Sequence, residues 1–395
     1  MFSDLFSQEF SKTINTANIF GFPLIWNKKL KKLQFSRKYY SRTKLVQKLI
    51  YFHTFALIVE TTRYKFTPNS PYFNLLLVDS YALVGMSVGT YVFSTQAEGI
   101  GRNWNSMFLY VTKFNEQFWN YPVSTAISAL NRNLFKIIRP TNFMLTFLPI
   151  AMWSQIFLVP HHPIHLPNLF SNYRILFYIA HLIYTPAILY EFFFVTFFIK
   201  LMVQTFTAFI LFILPVLREE LALTRGPRYT GKFKCSPALG ASPENLVLVY
   251  RSLQLLMKDL SILCGRYLPI LNTLFAQLSI SSGYVLIVEG RKTDDSMKMV
   301  LLVCVPFTVL VWAGFLVCVG KIQASSKECL TSWKVGAARW EAKEEKKYMA
   351  KFRKSCKPIY FGFEGFIVVT QKTVLKFMQG VVRGLFRALL ALKKK

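Results

Sequence analysis

The chain has 395 residues, of which 53% are hydrophobic, 16% aromatic and only 17% charged. A mean hydropathy of +0.34 excludes an ordinary soluble domain of this length. Lys and Arg outnumber Asp and Glu by 48 to 19, a net charge of +29. The basic residues gather between apolar runs, which is the bias of cytoplasmic loops and argues against a nucleic-acid binder.

Residues 1–44 form an N-terminal region that ends in Lys28, Lys29, Lys31, Lys32, Arg37, Lys38, Arg42 and Lys44. That density ahead of the first apolar run predicts a cytoplasmic N-terminus. The opening MFSDLFSQEF lacks the basic-then-apolar pattern of a cleaved signal, so the first span is expected to serve as the insertion signal. Spans are predicted over 45–62 and 73–94. The second holds Asp79 and the small residues Gly85, Ser87 and Gly89, a pattern that permits close helix packing. Residues 95–138, with Arg102, Lys113, Arg132 and Lys136, read as cytoplasmic, and a third span covers 141–160. His161, His162 and His165 follow in a proline-rich stretch. Imidazoles suit zinc or copper, but no carboxylate or cysteine is near, and an exposed exterior turn without metal is expected.

From Asn172 to Glu220 no glycine interrupts the apolar run, and Pro186 and Pro215 only kink a helix. One long helix is expected, spanning the membrane over 173–197. Cytoplasmic extensions over 198–262 include a Gly/Pro/Ser-rich linker at 221–244 and an amphipathic helix at 245–262. The fifth span covers 263–288, an exterior turn 289–297 and the sixth span 298–320. Residues 321–357 read as one charged cytoplasmic helix, and 358–395 as the terminal helix. The fold class is all-α: a polytopic bundle of seven transmembrane helices, N-terminus cytoplasmic and C-terminus extracellular, in the plasma membrane. The six cysteines fall in cytoplasmic segments or spans, where disulfides are not favoured.

The terminal helix is unusual. At 100° per residue, Lys372, Lys376, Gln379, Arg383 and Arg387 fall within an arc of roughly 80°, opposite Phe377, Val381, Leu385 and Leu392. Lys372 and the last three lysines reach headgroups by snorkelling. Lys376 and Arg383 lie too far inside for that, so they are expected to face water or a bundle interior. In a symmetric pore such rings raise the barrier to cations. The acids Asp79 and Glu191 are expected to pair with Lys200 or with hydroxyls.

The last quarter carries Trp312-Ala-Gly-Phe-Leu-Val-Cys-Val-Gly-Lys, then Ser325-Ser326, Trp333, Lys357-Pro358 and Gly365-Phe366 ahead of the terminal helix. This order resembles the insect-type odorant and gustatory receptor superfamily, as do the long fourth helix and the amphipathic lead into the fifth span. The chain departs from the gustatory branch in having Val381-Val382-Arg383-Gly384 in place of its Thr-Tyr and Gln-Phe pairs, which marks a divergent member. The resemblance implies a last helix split into a cytoplasmic anchor half (321–357) and a pore-lining half. It also implies a homo- or hetero-tetramer with related subunits in membrane lipid, passing ions when a tastant or odorant binds in the outer half of the bundle. Tyr81, Trp153, Phe157, Tyr184 and Phe307 are the candidate pocket aromatics, and Lys372, Lys376, Gln379, Arg383 and Arg387 the candidate pore residues. No GxSxG, phosphate loop, HExxH or spaced Cys/His set occurs, so neither an enzyme nor a cofactor is expected. A G-protein-coupled-type receptor, with the opposite orientation, and a transporter are the alternatives. The absence of an internal repeat disfavours the transporter.

Overall fold

A computed structural model describes residues 4–67, 72–118, 165–223, 242–291, 293–335 and 342–392, scattered positions between 132 and 162, Leu239 and Trp340. Helix α1 (Asp4–Ile19) is followed by the antiparallel hairpin β1 (Leu24–Asn27) and β2 (Lys32–Phe35). The sequence reading had no helix here. It forms because Phe6, Phe10, Ile14 and Ala17 recur on one face and are buried in the main core. Asn105 clamps the hairpin: its Oδ1 accepts from Leu33 N at 2.7 Å and its Nδ2 donates to Leu33 O at 2.9 Å.

Helices α2 (Arg37–Lys65) and α3 (Phe73–Phe118) run side by side. Two hydroxyl pairs join them, Thr54–Ser87 and Thr61–Ser80, each at 2.8 Å. Of the small residues expected to bring helices together, Ser87 is used in this way. A Cβ on Gly85 would meet nothing within 4 Å. α3 continues well past the predicted span end at 94, because Ala97, Ile100, Trp104, Met107, Phe108, Val111 and Phe114 keep one face buried. The described positions within 142–158 are helical, and a short 3-10 turn covers Leu166–Phe170. The 172–220 run is a single helix, α4 (Arg174–Pro215), continued by a π turn over Val216–Glu220. The linker at 221–244 lies largely outside the described residues.

α5 (Pro243–Cys264) leads through a tight turn into α6 (Leu268–Tyr284). α5 is capped by Ser242, whose side chain accepts from Glu244 N. α7 (Asp295–Val335) covers the stretch predicted as the sixth span and continues beyond it. The single charged helix expected over 321–357 is instead the end of α7 plus α8 (Lys343–Ser355). The reason is the apolar face of each piece. Trp333 and Phe352 stack with centroids 6.0 Å apart, whereas a continuous helix would separate them by about 28 Å. Trp333 also donates to Leu221 O at 2.6 Å and meets Tyr250 at 5.4 Å, tying the ends of α4, α5 and α7 together.

The terminal helix is also shorter than predicted. Residues Gly362–Phe363 (β3) and Ile367–Val368 (β4) form a small hairpin, and α9 starts only at Gln371 and ends at Leu392. Gly362 (φ 139°) and Gly365 (φ 87°) adopt left-handed backbone that side-chain-bearing residues avoid, which ends any helix there. The hairpin crosses the α5–α6 junction closely: a Cβ on Gly265 would lie 2.7 Å from Gly362 O. Among the described residues, four helical stretches are long and apolar enough to cross a membrane: Phe73–Phe118, Arg174–Glu220, Pro243–Glu289 and Asp295–Val335.

Candidate functional site

Two regions carry chemistry. The first is a cavity of about 60 Å³. It is enclosed by α2 (His53, Leu57), α3 (Asp79, Ala82, Leu83, Met86), α4 (Tyr184, Ile188, Phe192), Ile156, His165 and Met297. Behind its wall lies a polar relay. His53 Nδ1 is 3.1 Å from Glu191 Oε2, and His53 Nε2 is 3.1 Å from the Tyr184 hydroxyl. A carboxylate only accepts, so Nδ1 carries the proton. With the ring neutral, Nε2 accepts from Tyr184. The His53 and Glu191 side chains are 7% and 4% exposed, so the relay is sealed.

Glu191 was expected to pair with Lys200 or a hydroxyl and pairs with His53 instead. Nine residues on one helix place Glu191 and Lys200 on opposite faces about 13 Å apart, and Lys200 lies over the Phe197 ring. Asp79 faces the cavity from α3. Its Oδ2 is buried and has no hydrogen-bond partner among the described residues. His162 and His165, expected in an exposed turn, are 3% and 6% exposed. The 3-10 turn folds them inward, Asn168 Nδ2 donates to His162 O, and His165 lies 6.3 Å from the Tyr184 ring. Among the described residues no group of three His, Cys, Asp or Glu is arranged to hold a metal.

Of the five aromatics chosen from sequence, Tyr184 lines this cavity. Trp153 and Phe157 meet edge to face with centroids 4.9 Å apart, and Phe157 is exposed. Tyr81 and Phe307 are half-buried outside the lining. Sequence reasoning gave His53 and His165 no role here. Their only signal was a histidine set in, or next to, an apolar run, and that is equally common in a plain core.

The second region is α9, which has three faces. Phe377 is buried, and Val381 and Leu385 are half-buried against α6 and α7. Gly384 brings the helix onto Ile280, and Gly283 receives Leu385. A second face is apolar but exposed: Leu375, Met378, Val382 and Phe386. The third carries Lys372, Lys376, Gln379, Arg383 and Arg387, all exposed. None of these four basic residues makes an ion pair among the described residues. The sequence beyond Glu364 contains no Asp or Glu.

A long fourth helix and a short terminal helix packed against α6 and α7 characterise the fold. The chain has the fold of the insect olfactory receptors. It is similar to the insect olfactory receptor OR5 from Machilis hrabei in complex with eugenol, with TM-score 0.69 and 10% identity over 97% of this chain and 98% of that one. It is likewise similar to another structure of OR5 from Machilis hrabei, with TM-score 0.67 and 9% identity over 98% and 100% of the two chains. At such identities the likeness is one of fold. No protein-family model and no curated protein matches the sequence.

Proposed function

We propose that the chain is a divergent member of the insect odorant and gustatory receptor superfamily. It is a seven-span chemosensory subunit of the plasma membrane, N-terminus cytoplasmic and C-terminus extracellular, that forms a ligand-gated ion channel with three further copies or related subunits. The observation that carries the reading is the three-faced terminal helix. In lipid a lone subunit gains nothing from an exposed basic stripe, because a charge at that depth is costly. Arg383 lies about 18 Å along a helix of about 33 Å, too deep to snorkel. A neighbouring copy seated on the apolar face would turn the stripe, Lys372 to Arg387, toward a shared water-filled axis. An exposed seam on α5, Leu248, Leu255 and Ile262 at heptad spacing, offers a second contact for that neighbour. The cavity with Tyr184 in its wall is the ligand site. A ligand opens the assembly only through its greater affinity for the open arrangement.

Single-channel recording from the purified protein in planar bilayers, with eugenol and isoamylamine applied in turn, tests this reading. Discrete openings are expected. A tag at residue 2 should be reached only after permeabilisation, and one after Lys395 without it. The reverse accessibility favours a G-protein-coupled receptor, and solute uptake without unitary openings favours a transporter.

A further inference from the structure

Asp79 stands apart in its cavity. The lining is apolar from Leu57, Ala82, Leu83, Met86, Ile156, Ile188 and Met297, and among the described residues no Lys or Arg contributes to it. His53 already has a partner on each ring nitrogen. Asp79 Oδ2 is sealed from solvent with no partner among the described residues. Burying an ionised carboxylate is expensive unless a cation or strong donors meet it. This chain brings acids to the site, Asp79 in the wall and Glu191 behind His53, and Glu191 is the one already matched. Among the described residues no cation answers Asp79, so a ligand that carries one would meet it there.

We propose that the ligand is a small primary amine in its ammonium form, with the ammonium on Asp79 and the hydrocarbon among Leu83, Met86, Ile188 and Met297. This rests on the reading of the cavity as the receptor's ligand site. An ammonium offers three donors and cancels the charge, which a neutral alcohol cannot do. The faces of Tyr184 and Phe192 suit a cation as well. An anionic ligand would meet two carboxylates and no fixed cation. Size narrows the class further. A cavity of about 60 Å³ holds roughly four to six water-sized volumes, which matches a short-chain aliphatic amine and not a large aromatic one.

The test uses the full-length protein in lipid nanodiscs and two probes of the same shape, isoamylamine and isoamyl alcohol. The amine should bind at least about tenfold more tightly than the alcohol. Asp79→Asn should abolish that preference. Equal affinities, a preference for the alcohol, binding of neither probe, or an amine preference that survives Asp79→Asn overturns the proposal. If Asp79→Asn does not fold, N-isoamylacetamide on the wild type replaces it. This neutralised amine should bind no better than the alcohol, and binding equal to the amine overturns the proposal. Currents on the same protein separate this idea from the channel reading. Channel openings evoked by the alcohol and not the amine defeat the amine site and keep the channel. Selective amine binding with no current defeats the channel and keeps the site.

Discussion

The cavity cluster and the terminal stripe treat charge in opposite ways. In the cluster, Glu191 is sealed and matched inside the chain by His53, which in turn meets Tyr184. On α9, four basic residues are exposed, and none has an ion-pair partner among the described residues. A low-dielectric interior penalises an unmatched charge severely, while water penalises it little. The cluster is therefore a structure completed by its own chain, and the stripe is one whose surroundings must come from outside. Asp79 belongs to the first region by burial and to the second because its Oδ2 has no partner among the described residues.

Breaking the buried pair should produce the largest effect. Glu191→Ala leaves the His53 Nδ1–H buried and unanswered and should cost about 1–3 kcal/mol, read as a fall in thermal midpoint in detergent. Glu191→Gln keeps an acceptor and should cost less. If the two variants melt alike, the hydrogen bond is not what holds α2 to α4. The stripe should behave in the reverse sense. Arg383→Gln should alter stability by no more than about 0.5 kcal/mol, as surface changes do. In a channel it should shift the reversal potential under a sodium chloride gradient toward the sodium equilibrium value, because a ring of positive charge is removed. A strongly destabilised Arg383→Gln with unchanged selectivity would mean that the arginine is a packing residue.

How far these two regions were legible in the sequence follows from the same physics. The inward face of α9 was readable, since Phe377, Val381 and Leu385 repeat with helical spacing and are the residues turned toward α6 and α7. The length of α4 was readable because no glycine interrupts its apolar run. The start of α9 was not. Hydropathy alone extended the helix back to residue 358, while the backbone sign at Gly362 and Gly365 decides it, and glycine in a membrane helix carries no such label. The break after Val335 was hidden because both pieces are charged and helical; only the meeting of Trp333 with Phe352 requires it. The cavity was hardest. Its polar members come from α2, α3, α4 and the turn at 165, so their convergence is a tertiary fact that no local pattern encodes.

The smallest expected effect lies in a pair that is matched but exposed, and so sits between the two regions. At the β3–β4 hairpin, Lys357 Nζ donates to Glu364 Oε1 at 2.6 Å, and the Tyr360 hydroxyl donates to Oε2 at 2.9 Å. The hydrogen bond from Lys357 holds the Glu364 carboxyl below the usual carboxylate range, with Tyr360 and the ammonium charge adding to it. Glu364 in turn pushes the Lys357 ammonium above its usual range. Glu364 therefore contributes stability that is present above its unfolded value and is lost as pH falls through its lowered folded value. Lys357 contributes stability present below its own unfolded value and lost as pH rises through its raised folded value. Between roughly pH 4.3 and 10.4 both contributions are complete. The difference in thermal midpoint between wild type and Glu364→Gln should thus be flat across that window and shrink only in acid or strong alkali. Salt should also reduce it, since exposed pairs are screened. A difference that varies near neutral pH, or that ignores salt, would mean that the hairpin is held by its backbone and by the close approach of Gly265, and that the ion pair merely decorates it.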